Sequence, residues 1–157
     1  MRGAHLVLAV LLLLSACAGT PLRPGVPAEV TLWRTDFAAD RDALLKDLEG
    51  WDRCGTDRAT CEAALFRVEV EAAVLSRIDS PSHPRIVDDA LIPPPACLQE
   101  ADQMTIAATV NIAHGARAGW DGYENGSLRE LAVAQTEISQ GRSQLVAASQ
   151  LVERAPC

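Results

Sequence analysis

Four stretches of the chain place apolar residues three and four positions apart, the repeat of a single buried helix face. From Pro27 to Glu49 the stripe is Val30, Trp33, Phe37, Leu44 and Leu48, with Gly50 following as a stop signal. From Arg58 to Asp79 it is Leu65, Val68, Ala72, Leu75 and Ile78. From Cys97 to about Ala118 it is Leu98, Ala101, Met104, Ala108 and Ile112. The most regular stretch runs from Ser127 to Arg154. Its three- and four-residue steps meet Leu131, Ala134, Ile138, Gly141, Leu145, Ala148 and Val152, all apolar or glycine. Ser127 and Glu130 have the spacing of a capping box at its start. No stretch shows the two-residue alternation of a strand. The pattern predicts an all-α fold, most simply an antiparallel (up-down-up-down) four-helix bundle over residues 27–157.

Many stripe positions are alanine or glycine, so each residue buries little area and the core is modest at roughly 25 cal/mol per Å². Crosslinks suit such a core, and the chain has five cysteines. Cys54, Cys61, Cys97 and Cys157 form an even set of four, the number two disulfides require. In an up-down-up-down bundle, Cys54 and Cys61 flank the first turn. Cys97 opens the third helix at the end where the fourth helix finishes, next to Cys157. The expected bridges are Cys54–Cys61 and Cys97–Cys157, because the other pairings would span the length of the bundle, well beyond disulfide reach. A zinc knuckle is disfavoured by the wide spacing of Cys54 and Cys61.

The fifth cysteine lies in a different context. Arg2 is followed by an apolar run from Leu6 to Leu14, too short to cross a bilayer, which takes about 20 residues. It has the size of a secretory h-region. Leu14-Ser15-Ala16-Cys17 comes next: an aliphatic residue, two small residues and a cysteine. This segment resembles the lipobox of bacterial lipoproteins, and the resemblance covers the signal only. It implies cleavage before Cys17 and a diacylglycerol thioether on the Cys17 sulfur, with acyl chains such as palmitate holding the protein to a membrane. Residues 1–16 are then a signal peptide and 17–26, with Pro21, Pro24 and Gly25, a lipidated tether. Ala18 follows the cysteine instead of aspartate. In a two-membrane bacterium the resemblance then implies the periplasmic face of the outer membrane. With one membrane, it implies the outer face of the cell membrane.

The net charge of −7 argues against a nucleic-acid partner. The motifs of zinc proteases, di-iron carboxylate proteins, serine-hydrolase elbows and phosphate loops do not occur. His83 lies in a proline-flanked loop, and His114 is read as a helix C-terminal histidine, favoured there by the helix dipole. Asp36, Asp40, Asp47, Glu62, Glu69, Asp88 and Asp89 read as solvated acids. No catalytic residue, metal ligand or non-covalent cofactor is expected.

Two connections carry more information. Residues 80–96 hold Pro81, Pro84, Pro93, Pro94 and Pro95, with Ile86-Val87 and Leu91-Ile92 between them. That segment reads either as a staple across the bundle or as a strap for a partner. Residues 115–126 bring four glycines together with Trp120 and the only tyrosine, Tyr123, while Asp121, Glu124 and Asn125 supply oxygens. They read as a loop, either a turn with Trp120 folded onto the bundle end or a contact patch. An EF-hand fails there, because Tyr123 and Ala132 occupy ligand positions.

The expected role is a lipid-anchored interaction or accessory protein of the cell envelope with a protein partner. One alternative is a small-ligand or metal-binding lipoprotein using the 115–126 loop. Another is a pilotin-like escort: in its plan of anchor, helical bundle and disulfide the chain resembles the secretin pilotins, which would imply a groove for a partner helix.

Overall fold

The computed structural model describes residues 26–76 and 94–157. Within them lie four α-helices and one 3-10 turn, and no strand. The helices are α1 (Ala28–Asp52), α2 (Arg58–Ser76), α3 (Gln99–Asn125) and α4 (Leu128–Arg154), with the 3-10 turn at Ala96–Leu98 leading into α3. The signal and lipobox, Cys17 included, lie outside the described residues, as do nearly all of the tether, Ile78, His83 and most of the 80–96 connection. No described helix is long and apolar enough to cross a membrane.

The helix starts follow from local chemistry. Pro27 precedes α1 with φ −54° and ψ 142°, and its carbonyl accepts the amides of Val30 and Thr31. Asp57 caps α2, its carboxylate accepting the Thr60 amide at 2.9 Å. Ser127 caps α4, its hydroxyl accepting the Glu130 amide at 3.3 Å. The reciprocal arm of the expected capping box is absent. The Ser127 amide donates instead to the Gly122 carbonyl, because Gly126 takes the left-handed conformation (φ 67°) and closes α3 directly beneath it.

Two expected helix ends and one expected core position are corrected. Helix α1 runs through Gly50 to Asp52. A helical glycine costs about 1 kcal/mol against alanine. Continuing buries Trp51, one helix step beyond Leu48, and an indole returns more than that. Helix α3 does not end near Ala118 but continues to Asn125, so residues 115–125 are helix and the connection to α4 is only Gly126-Ser127. Met104 is half-buried, and Thr105 and Thr109 occupy the core face in its place. Their hydroxyls donate back to the Ala101 carbonyl (2.8 Å) and the Thr105 carbonyl (2.9 Å), which makes their burial tolerable.

One core draws on all four helices, including Trp33, Phe37, Leu44, Leu65, Val68, Leu98, Ile112, Ile138 and Leu145. Its two halves pack differently. Between α3 and α4 the glycines act as sockets. A Cβ placed on Gly115 would stand 2.8 Å from Ile138 Cγ1, and one on Gly141 would stand 2.5 Å from Ile112 Cγ1. Each isoleucine thus fills the space that the facing glycine leaves. Helix α1 instead presents Trp33, Phe37, Leu44, Leu48 and Trp51. These large side chains enter the core, and two arginines tie the helix to the α4 side. Arg34 donates to the Ala155 carbonyl at 3.2 Å. Arg142 donates to the Leu48 carbonyl at 3.0 Å and pairs with Asp52 at 2.8 Å.

Both expected disulfides are present. Cys54–Cys61 has a Cα separation of 5.1 Å and Cys97–Cys157 one of 5.8 Å. The first closes the turn between α1 and α2, where Gly55 has φ 69°. The second fastens the start of α3 to the chain just beyond α4.

Candidate functional site

The residues singled out between 115 and 126 are spread around a helix instead of gathered in a loop. Successive positions on a helix step by about 100°. Gly115, Gly119 and Gly122 therefore share one side, and that side is buried. Gly119 faces Leu65 and Ala134, and Gly122 faces Leu131. The glycine enrichment that suggested a hinged loop is a packing requirement: these positions accept neighbouring side chains where a methyl group would collide.

The chemically interesting side chains point elsewhere. Trp120 is half-buried and lies against Phe66 of α2, with ring centroids 6.4 Å apart and planes tilted by 57°. Tyr123 packs at the margin of the core. The Asp121 carboxylate pairs with Arg117 at 3.5 Å, one turn back along the helix. Asn125 donates its side-chain amide to the Asp121 carbonyl at 2.9 Å, fastening the last turn of α3. Glu124 is exposed. The two carboxylates and the carboxamide thus serve the helix surface and its end and do not converge on a common point. Among the described residues, no three His, Cys, Asp or Glu side chains assemble as a metal site. The expected loop is thus replaced by the last turns of α3 over residues 115–125.

His114 also differs from expectation. It sits well inside α3, more than two turns before Asn125, so the end-of-helix dipole does not act on it. Its Nδ1 lies 2.5 Å from Glu137 Oε2 of α4. One helical turn away Asn111 donates to Gln144 at 2.7 Å. The two contacts lace the polar margin of the glycine-lined α3–α4 seam. The His114 side chain is 69% exposed.

Asp36 is exposed, but Glu69 of α2, expected to be solvated, is buried at 8% exposure. Asp47 pairs with Arg67 across α1 and α2 at 3.4 Å, and Glu62 pairs with Arg58 along α2 at 2.6 Å. Asp57 has a displaced titration. The Thr60 hydroxyl, and then the Thr60 amide, hold its carboxyl below the usual aspartate value.

Two features escaped the sequence reading. Arg34 and Arg142 join α1 to the α4 side, and nothing in their local sequence marks them as long-range donors. The second is the solvent face of α4. Between Glu130 and Glu153 the helix carries only Glu137 and Arg142, and both face its neighbours. Charge spacing alone could have revealed that face. Comparison with protein families, with curated proteins and with solved structures finds no match to this chain.

Proposed function

We propose that the protein is a lipid-anchored accessory protein of the cell envelope, acting by binding a protein partner. The observation that carries the reading is the division of the five cysteines. Four pair with one another in two bridges. The fifth, Cys17, closes Leu14-Ser15-Ala16-Cys17 behind an apolar run of signal-peptide length. Disulfides favour an oxidising, exported setting, and thioether lipidation accounts for the odd thiol. Two or three acyl chains anchor stably, at about 0.8 kcal/mol per buried methylene. The tether, residues 17–26, reaches at most about 35 Å when extended. With Ala18 after the cysteine, the proposed location is the periplasmic face of an outer membrane, or the outer face of a single membrane. The anchored domain is read as an up-down-up-down antiparallel bundle. The Asp47–Arg67, His114–Glu137 and Arg34–Ala155 contacts support that direction of the helices.

Metabolic labelling with an alkyne palmitate analogue tests the anchor. The wild-type chain is expected to take up label and to sediment with membranes, while Cys17→Ala does neither. Equal membrane recovery of an unlabelled wild-type chain overturns the lipid anchor. In-cell crosslinking of the tagged protein, with Cys17→Ala as control, tests the role. One dominant envelope partner, lost in the control, is the expected result. No enriched partner across several growth conditions overturns the accessory reading.

A further inference from the structure

We infer that Asn125 is a modification site, whose carboxamide is converted to a carboxylate by the chain's own backbone when the last turn of α3 opens. The chain has two asparagines, Asn111 and Asn125. A carboxamide at this position in a side chain can be attacked by the backbone nitrogen of the next residue. The Gly126 nitrogen bonds to Asn125 Cγ and gives up its proton. The bond from Cγ to the side-chain nitrogen breaks, and that nitrogen leaves with the proton as ammonia. Water then opens the resulting succinimide ring at either carbonyl, giving aspartate or isoaspartate. One water is consumed and one ammonia lost, with no oxidant or further reactant. Glycine leaves the attacking nitrogen most open, because it has no side chain and its backbone turns freely. Asn125 and Gly126 are both exposed, and nothing stands within 4 Å of where a Cβ on Gly126 would be. Asn111 is the opposite case. Buried, β-branched Ile112 follows it, and its carboxamide is held by Gln144 of α4.

The closed helix keeps the reacting groups apart. Asn125 Nδ2 donates to the Asp121 carbonyl at 2.9 Å, which turns the carboxamide back along α3, and the Gly126 amide donates to the Gly122 carbonyl. Both bonds must open before the nitrogen meets Cγ. The turn they close is weak by composition. Asp121 and Glu124 place two carboxylates near the negative end of the helix dipole, and no base lies in the last turn to offset them. Gly122 lowers helix propensity at the same place. Such an end opens more readily than the core. The product also weakens the turn further. It exchanges the donor that held the Asp121 carbonyl for a third carboxylate, and isoaspartate adds a backbone atom to the short turn before α4. The inference does not depend on the lipid anchor.

The test incubates the full chain at mildly alkaline pH, folded and in urea, with both disulfides intact. Peptide mass spectrometry, with fragmentation that separates aspartate from isoaspartate, follows both asparagines. Asn125 is expected to become acid in both isomeric forms while Asn111 remains an amide. Conversion should run about tenfold more slowly in the folded chain than in urea, because the turn must open first. Glu124→Lys puts a base at the helix end and should slow the folded chain further without slowing the chain in urea. A folded chain in which Asn125 stays intact overturns the inference. So does conversion of Asn111 at an equal rate, a folded rate equal to that in urea, or a folded rate that Glu124→Lys leaves unchanged.

Discussion

Gly50 and Gly141 are both helical, yet the same substitution should move them in opposite directions. A Cβ on Gly50 would have only Arg67 Nη2 near it, at 3.9 Å. Gly50→Ala therefore removes backbone freedom from the unfolded chain without a clash, and should stabilise by about 0.5–1 kcal/mol. A Cβ on Gly141 would stand 2.7 Å from the Ala108 carbonyl oxygen as well as against Ile112. Backbone cannot step aside as a flexible side chain can, so Gly141→Ala should cost roughly 1–3 kcal/mol despite the gain in helix propensity. Urea unfolding of both variants checks the contrast, and equal shifts in the midpoint would contradict the socket described for Gly141. Sequence could place both glycines but not separate them, because what differs is the atom opposite each. Asp57 gives a pH dependence at the same scale. Its carboxyl titrates lower in the folded state than in the unfolded chain, so the unfolded chain binds the proton more readily. The stabilisation it gives is complete above the ordinary aspartate range and is lost as pH falls through the lowered folded value. Asp57→Ala should lower the melting temperature at neutral pH, with the gap from wild type closing in acid.

At the scale of elements, the two bridges and the two arginines do different work. In the loop-entropy treatment the Cys54–Cys61 loop, with a separation of 7, contributes about 2 kcal/mol, and the Cys97–Cys157 loop, with a separation of 60, about 4. Replacing each pair by serine should rank them in that order on chemical denaturation. Arg142 acts locally, tying α4 to the end of α1. Arg142→Ala should speed amide exchange in the last two turns of α1 while leaving α3 protected, since the α3–α4 seam does not use that guanidinium. The stripes Val30-Trp33-Phe37-Leu44-Leu48 and Ala134-Ile138-Gly141-Leu145-Ala148 were legible because helical spacing and hydrophobicity agree there. Disulfide pairing was legible too, once the order of helices limited which cysteines could meet. The misreading at 115–125 has a specific cause. Glycine signals a loop when only the chain's own backbone is considered, and signals close packing when a neighbouring helix supplies Ile138, Leu65 and Leu131.

For the whole molecule, charge is concentrated on the α1 side while α4 is neutral. Added salt should therefore screen repulsion among the acids of α1 and raise the melting temperature slightly, since exposed charges are weakly coupled and readily screened. Lysine at Asp36, which is exposed, should give part of the same gain at low salt and little at high salt. A melting temperature independent of salt in both proteins would show that the uneven charge carries no energetic weight. The candidate site was less legible than the fold, for a physical reason. Helical periodicity is a local property, whereas a site depends on side chains from distant parts of the chain arriving at one point. Trp120 did acquire a partner in Phe66, but Asp121 and Asn125 turned to their own helix.

The Cys97–Cys157 bridge has a consequence in time. Where export keeps pace with synthesis, the chain enters an oxidising compartment from its N-terminus at about 5–20 residues per second. Cys61 follows Cys54 by 7 positions, so the two thiols are available together within about a second. Cys97 must wait for 60 more residues, roughly 3–12 seconds, before its mate exists. If the first pair has closed and Cys17 carries its lipid by then, only one combination remains for the late thiols, and order of arrival guards the pairing without help from an isomerase. Exchanging the positions of the early and late cysteines would remove that safeguard even where the finished fold could accommodate them.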